Sequence, residues 1–110
     1  MATTFRNKVV KDIGTQKIIA IATNASTRST IIGISLANTT KGAVSVSILV
    51  GDDASSEGYY LKDVILPPKG ALKPLGPAEK LILAPNNTLL FQSNKTDSVD
   101  AVLSYVDIVS

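Results

Sequence analysis

The feature that most constrains the fold of this chain is a strict alternation of apolar and small residues in short segments. Within residues 44–50, one face of the pattern consists of Val44, Val46, Ile48 and Val50, and the other of Ser45, Ser47 and Leu49. Because successive side chains of a strand point to opposite faces, a period of two predicts a half-buried β-strand.

The preceding segment, residues 30–38, follows the same rule. The alternation predicts a core face made of Thr30, Ile32, Ile34 and Leu36. The opposite face, Ile31, Gly33, Ser35 and Ala37, is small enough to lie under another chain or against solvent. Asn38-Thr39-Thr40-Lys41-Gly42 follows, and Asn and Gly favour turns because they tolerate positive φ. We therefore predict a β-hairpin over residues 30–50.

Further strands are predicted at short spacing along the chain, over residues 17–23, 58–66, 80–83, 88–93 and 98–108. Ile, Val and Thr occupy 31 of the 110 positions, and β-branched residues favour strands. No window combines helical spacing with caps at both ends. The sequence therefore predicts an all-β chain with essentially no helix: one β-sandwich of seven or eight antiparallel strands over residues 1–110, immunoglobulin-like or jelly-roll. The five prolines, clustered in residues 67–85, indicate an extended connection that crosses from one sheet to the other.

The composition argues against catalysis. The chain has no Cys and no His, which removes the thiolate nucleophile, the commonest metal ligand and the commonest general base. We expect no enzymatic activity and no cofactor. The acidic cluster of Asp52, Asp53 and Glu57 has carboxylates that suit calcium, but its spacing lacks the pattern of a calcium loop. A solvated hairpin tip explains it as well.

Charge is distributed unevenly along the chain. Residues 1–41 contain six Lys or Arg residues and one acidic residue. Residues 42–110 contain five Lys or Arg residues and eight acidic residues. This polarity suits docking between protein surfaces, and the basic residues are too few for a nucleic-acid stripe. No secretory signal and no apolar run long enough to span a membrane is visible, so we expect no membrane or nucleic-acid partner and synthesis in a cytoplasm.

Four blocks of the chain resemble a family of small virion structural proteins of tailed bacteriophages. These blocks are residues 31–39 with 44–47 (IIGISLANT and VSVS), residues 60–67 (YLKDVILP), residues 80–83 (KLIL) and residues 98–104 (SVDAVLS). The resemblance implies a non-enzymatic, multi-copy particle component. It implies a head decoration (cement) protein whose copies cluster as trimers about local symmetry axes, or else a neck or tail accessory protein.

The resemblance also implies where the protein acts and what it contacts. Its location would be the virion, after synthesis in the host bacterial cytoplasm, and its partners the major capsid protein or other virion proteins. Independently of the resemblance, the basic charge of residues 1–16 predicts an N-terminal arm or an edge strand that clamps an acidic lattice through Phe5, Arg6, Lys8 and Lys11. A carbohydrate-binding or adhesion sandwich is the alternative from another class, and it would need an exposed aromatic platform built from Tyr59, Tyr60 and Tyr105.

Overall fold

The computed structural model describes residues 2–75 and 80–109, and this part of the chain is built from β-strands joined by turns. The strands are β1 (Ala2–Ile13), β2 (Ile18–Ala22), β3 (Thr27–Asn38), β4 (Val44–Gly51), β5 (Glu57–Leu66), β6 (Ala71–Leu72), β7 (Leu81–Leu83), β8 (Thr88–Ser93) and β9 (Val99–Val109). Within these two ranges, no helix is long and apolar enough to cross a membrane. The all-β prediction is confirmed, with β6 as a strand that the sequence did not indicate.

The strands form two antiparallel sheets. The larger sheet has the order β1-β9-β3-β6, with β7 also pairing with β3, and the smaller has the order β2-β8-β4-β5. The chain pairs with itself in nested order: β1 with β9, β2 with β8, β3 with β6 and β7, and β4 with β5. Rolling this nested hairpin brings β3 against β9 and β4 against β8. Of the two predicted architectures, the strand order is that of a jelly roll.

The core lies between the two sheets and is almost wholly aliphatic. Its side chains come from every long strand, and the largest fully buried ones include Phe91, Ile13, Ile31, Leu36, Ile48 and Leu103. Phe91 is the single aromatic residue among the buried core side chains of the described chain. Because non-directional apolar contact holds the sheets together, the alternation of small and large aliphatic residues determines which face of each strand turns inward.

The predicted hairpin over residues 30–50 is wrong, although both of its strands and its turn are present. β3 belongs to the larger sheet and β4 to the smaller one, so the turn connects the two layers. β3 pairs with the distant β9 from Thr27↔Val109 to Asn38↔Val99, while β4 pairs with β5 and β8. Each of the two strands has an apolar face. Because the strands lie in opposite layers, both faces are buried in the shared core. The hairpin of this region is β4–β5.

The predicted inward face of β3 is correct only in its second half. Ile34 and Leu36 are buried, but Ile31 is buried as well and Ile32 is exposed. The register of β3 against β9 shifts between Ile31 and Gly33, which is a β-bulge. Since the extra residue reverses the alternation on one side of it, the period-two rule fails at this point.

The proline-containing connection crosses between the sheets, as predicted. β5 ends in the smaller sheet at Leu66, and β6 joins the larger sheet through Leu36↔Leu72 and Ala37↔Ala71. Between them, the Gly70 amide donates to the Pro67 carbonyl at 2.9 Å, and Lys69 has a φ of 57°. The last part of this prediction includes Pro77, which lies outside the described residues.

Candidate interaction surface

The four predicted contact residues lie on β1, which is an edge strand of the larger sheet. Phe5 pairs with Val106, and its side chain is 77% exposed on the outer face of the sheet. Arg6 and Lys8 lie on the opposite face of β1, the one turned toward the interior. Their cross-strand partners on β9, Tyr105 and Leu103, face the core. Lys11 lies where the register shifts after Val10. The structure therefore places the predicted residues on one strand but on two of its faces.

Arg6 has a partner within the molecule. Its Nε lies 3.1 Å from Oδ2 of Asp107 on β9, and the Ser29 hydroxyl on β3 donates to the other oxygen of that carboxylate. Ser29 is buried, whereas the Arg6 side chain remains about half exposed. Because the three residues come from neighbouring strands, they stabilise the end of the sheet. The guanidinium still has donors left for a partner.

Lys8 faces an open pocket of about 230 Å³ between the edges of the two sheets. Tyr105 and Asp107 line it from the larger sheet, and residues 20–24 line it from β2 and the turn that follows. No ion pair is formed by Lys8 with any residue that the structure describes. Its ammonium group is therefore a free cation beside the β1 edge.

The outer face of the larger sheet exposes several large apolar side chains. We call it the outer β-face; its exposed large side chains are Phe5 (77%), Val9 (59%), Ile32 (42%), Ile82 (65%) and Val102 (48%). They are arranged in cross-strand rows, one of which runs Phe5↔Val106↔Thr30↔Ile82 and another Val9↔Val102↔Ser35. Between these two rows lies a small and polar one, Asn7↔Ser104↔Gly33. The bulge in β3 brings Ile32 to this face, which the sequence had assigned to the core.

Charged residues lie at the margin of the outer β-face. Lys11, Arg28 and Lys80 are exposed near its ends or edges. Asp100 is at the same margin, where its carboxylate accepts the Asp12 amide at 3.0 Å. The face therefore combines two rows of exposed apolar side chains with a margin of three cations and two acids, Asp12 and Asp100. It fits a partner that offers apolar side chains together with an excess of acidic ones.

The outer face of the smaller sheet buries its middle and exposes apolar side chains on its edge strands, namely Ile19 (56%), Tyr59 (51%) and Ile65 (71%). Leu49 and Leu90 are cross-strand partners there, outside the main core, and both are buried. Lys17, next to edge strand β2, reaches Glu57 on the opposite edge strand β5, with Nζ 2.9 Å from Oε1. The hydrogen bond that Lys17 donates to Glu57, and the negative charge of Glu57, raise the pKa of Lys17.

The three tyrosines that a carbohydrate platform would need lie on different surfaces. Tyr59 is on the outer face of the smaller sheet, where the Lys62 ammonium lies 5.1 Å from its ring centre. Tyr105 packs against the core from the larger sheet, and Tyr60 packs against it from β5. They therefore form no shared stacking surface.

The acidic cluster at residues 52–57 serves the β4–β5 turn. One carboxylate oxygen of Asp52 accepts the amides of Ala54 and Ser56, each at 3.0 Å, and Glu57 binds Lys17. Over the described ranges, no group of three His, Cys, Asp or Glu residues is placed to hold a metal ion. The arrangement is that of a hairpin tip, the second of the two interpretations drawn from the sequence.

The chain matches no protein-family model and no curated protein sequence. Solved chains of similar fold include one from a pilus and two from viruses. One is from Bacillus endospore appendages, described as disulfide-linked pili (TM-score 0.59, 8% identity, 97% of this chain and 88% of that chain). A second is from the acid-stable capsid of Helicobacter pylori bacteriophage KHP30 (TM-score 0.57, 11% identity, 100% and 90%).

The third similar chain is from infectious bursal disease virus strain Gx (TM-score 0.53, 10% identity, 97% of this chain). This chain spans 34% of the length of the viral one. At such low identities the likeness is one of fold, and two of the three chains come from virus particles. The jelly roll derived from the strand order is therefore an architecture that viral particles use.

Proposed function

We propose that this protein is a structural component of a bacteriophage virion, and specifically a decoration protein that binds and stabilises the outer surface of the head. The observation that carries the proposal is the outer β-face, which exposes five large apolar side chains on a fold shared with chains of viral particles. Exposed apolar patches of this kind mark sites of protein association. The charge of its margin makes an acidic capsid surface the partner.

The coverage of the similar chains supports a role as a particle subunit. This fold accounts for 90% of the bacteriophage chain. In the infectious bursal disease virus chain, the same fold is about a third of a longer polypeptide. A decoration protein is expected to resemble the first case, because it adds to a shell that other chains have already closed.

The size of the outer β-face argues for several copies acting together. Three long strands with about nine residues each, and the short β6 and β7 that share one edge of β3, give a surface of roughly 20 by 30 Å, somewhat less than one side of a standard protein interface. Copies that cluster about local symmetry axes, as trimers, gain avidity from simultaneous contacts. No Cys is available for the covalent linkage described for the spore pili, so assembly rests on non-covalent contacts.

The proposal is tested by two matched charge substitutions. Val102→Asp places a carboxylate in the middle of the outer β-face, and Ile65→Asp places one at an exposed apolar position on the other sheet. We expect Val102→Asp to weaken binding to particles that lack the protein by roughly 100-fold, because a charge is desolvated in an apolar interface. Ile65→Asp should bind as the unsubstituted protein does. Both variants are first checked for an unchanged melting temperature.

Equal binding by folded Val102→Asp and Ile65→Asp would contradict the assignment of the docking face. The second candidate, a neck or tail accessory protein, uses the same fold and the same face. It differs in the number of copies per particle, which a single ring limits.

A further inference from the structure

β1 presents the longest regular free edge of the molecule. Its register with β9 runs without interruption from Ala2↔Val109 to Val10↔Ala101. On the other side of β1, no strand pairs with it anywhere in residues 2–75 or 80–109. Alternate backbone amides and carbonyls along nine residues are therefore open to a further strand.

The remaining edges lack such a regular stretch. β2 is five residues long, and its register shifts between Ile19 and Ile21. β5 has register shifts at two places opposite β4, and Asp63 within it has a φ of 51°. β6 and β7 contain two and three residues. Bulges and short length are the features by which edges avoid pairing, so β1 is the exception.

Charge selects the kind of strand that fits β1. Arg6 and Lys8 lie on the face of β1 that is turned toward the smaller sheet, but they remain exposed because β1 is an edge strand. Lys11 follows where the register shifts. A second β1 strand would bring more cations to the same edge, and like charges facing one another across strands are unfavourable. An added strand with acidic side chains opposite Arg6 and Lys8 is favourable, and the open pocket beside Lys8 leaves room for one carboxylate.

We propose that the free edge of β1 binds an extended acidic segment of its partner as an additional antiparallel or parallel strand. Phe5 and Val9, on the other side of β1, would contact apolar side chains of the same segment, so its pattern alternates acidic and apolar residues. That the capsid supplies this segment rests on the proposed function. The edge itself, with its charge, is a property of this chain alone.

The first test needs no particle. The probe is a synthetic ten-residue peptide of alternating Glu and Val with blocked ends, and the readout is hydrogen exchange of the β1 amides at residues 2–10. We expect the peptide to slow exchange of the outward-facing amides roughly tenfold, because a second ladder protects them. Lys8→Glu should abolish the effect. Lys41→Glu, which alters an exposed turn lysine, should leave it unchanged.

The second test compares free protein with protein bound to capsids. Protection of β1 on the particle supports the proposal. Particle binding without any added protection of β1 overturns it and leaves the proposed function intact. If the protein does not bind particles at all, the proposed function fails, and the peptide experiment alone decides the inference. A dimer in solution whose β1 is already protected would show that a second copy occupies the edge, which contradicts the proposal.

Discussion

At the scale of single residues, Asn38 connects three parts of the fold through one buried amide. Its Nδ2 donates to the carbonyls of Gly42 at 2.8 Å, Pro67 at 3.0 Å and Leu66 at 3.2 Å. Its Oδ1 accepts the backbone amide of Thr40 at 2.9 Å and the hydroxyl of the same residue at 2.8 Å. The side-chain amide of Asn38 therefore pairs hydrogen-bonding groups of the turn between β3 and β4 and holds this turn against the end of β5.

We predict that Asn38→Ala destabilises the protein by about 2–4 kcal/mol, because buried carbonyls lose their donor and the turn loses its acceptor. Urea unfolding measures the change in the free energy of unfolding. Asn7→Ala, an exposed change on β1, serves as the control and should alter stability by less than about 0.5 kcal/mol. If the two variants are equally stable, Asn38 does not have this structural role.

The sequence identified Asn38 as a turn residue but not as a buried connector. Its partners Leu66 and Pro67 are far along the chain, and the contact exists only because the connection after β5 crosses to the larger sheet. Ile32 is a similar case. Nothing in the run Ile31-Ile32-Gly33 distinguishes a regular strand from one with a bulge, because either isoleucine can be placed in the core.

At the scale of strands, local alternation predicted where the strands lie better than it predicted their partners. β8 matches the predicted residues 88–93 and β4 begins at Val44 as predicted, whereas the β3–β4 pairing was wrong. Pairing depends on contacts between residues far apart in sequence, such as Ser29 with Asp107. A turn sequence that suits a hairpin also suits a connection between layers.

Engineered disulfides test this strand arrangement against the hairpin, since the natural chain contains no Cys. Ser35 and Val102 are cross-strand partners on β3 and β9, so the double variant Ser35→Cys/Val102→Cys should form a disulfide on oxidation. Ser35→Cys/Ser47→Cys joins positions that a regular hairpin would pair, but they belong to opposite sheets here. It should keep two free thiols, counted by mass spectrometry after alkylation. The reverse result would favour the hairpin.

The Lys17–Glu57 pair makes a pH-dependent contribution to the smaller sheet. Glu57 raises the pKa of Lys17 in the folded state, first through their hydrogen bond and then through its charge. The stabilisation is therefore complete below the pKa of an unfolded lysine, and it is lost as the pH rises through the raised value. Because the pair is exposed, the contribution is small and falls with added salt.

We predict that Lys17→Met lowers stability slightly at pH 7 and that its difference from the unsubstituted protein vanishes in strongly alkaline solution. Urea unfolding across this pH range measures it, with Lys41→Met as the control for removal of a charge. A difference that stays constant through alkaline pH would show that the packing of the side chain, and not the ion pair, accounts for the effect.

At the scale of the whole molecule, the two sheets present different surfaces. The smaller sheet buries its central Leu49 and Leu90 and exposes three large apolar side chains on its edge strands, while the larger sheet exposes five, including Phe5, Val9 and Val102. The sequence predicted an aliphatic sandwich and a small outward side of β3, including Gly33 and Ser35. It did not predict the outer β-face, because this surface is assembled from β1, β3, β7 and β9, whose adjacency follows from the topology.

The central claim is that the protein decorates a phage head in many copies, and its number of copies per particle tests this most directly. Quantitative mass spectrometry of purified virions would compare this protein with the major capsid protein. We predict a ratio near one or a simple fraction of it, because a docking face of this kind repeats over the lattice. A number that matches a single ring, or absence from the particle, would contradict the claim.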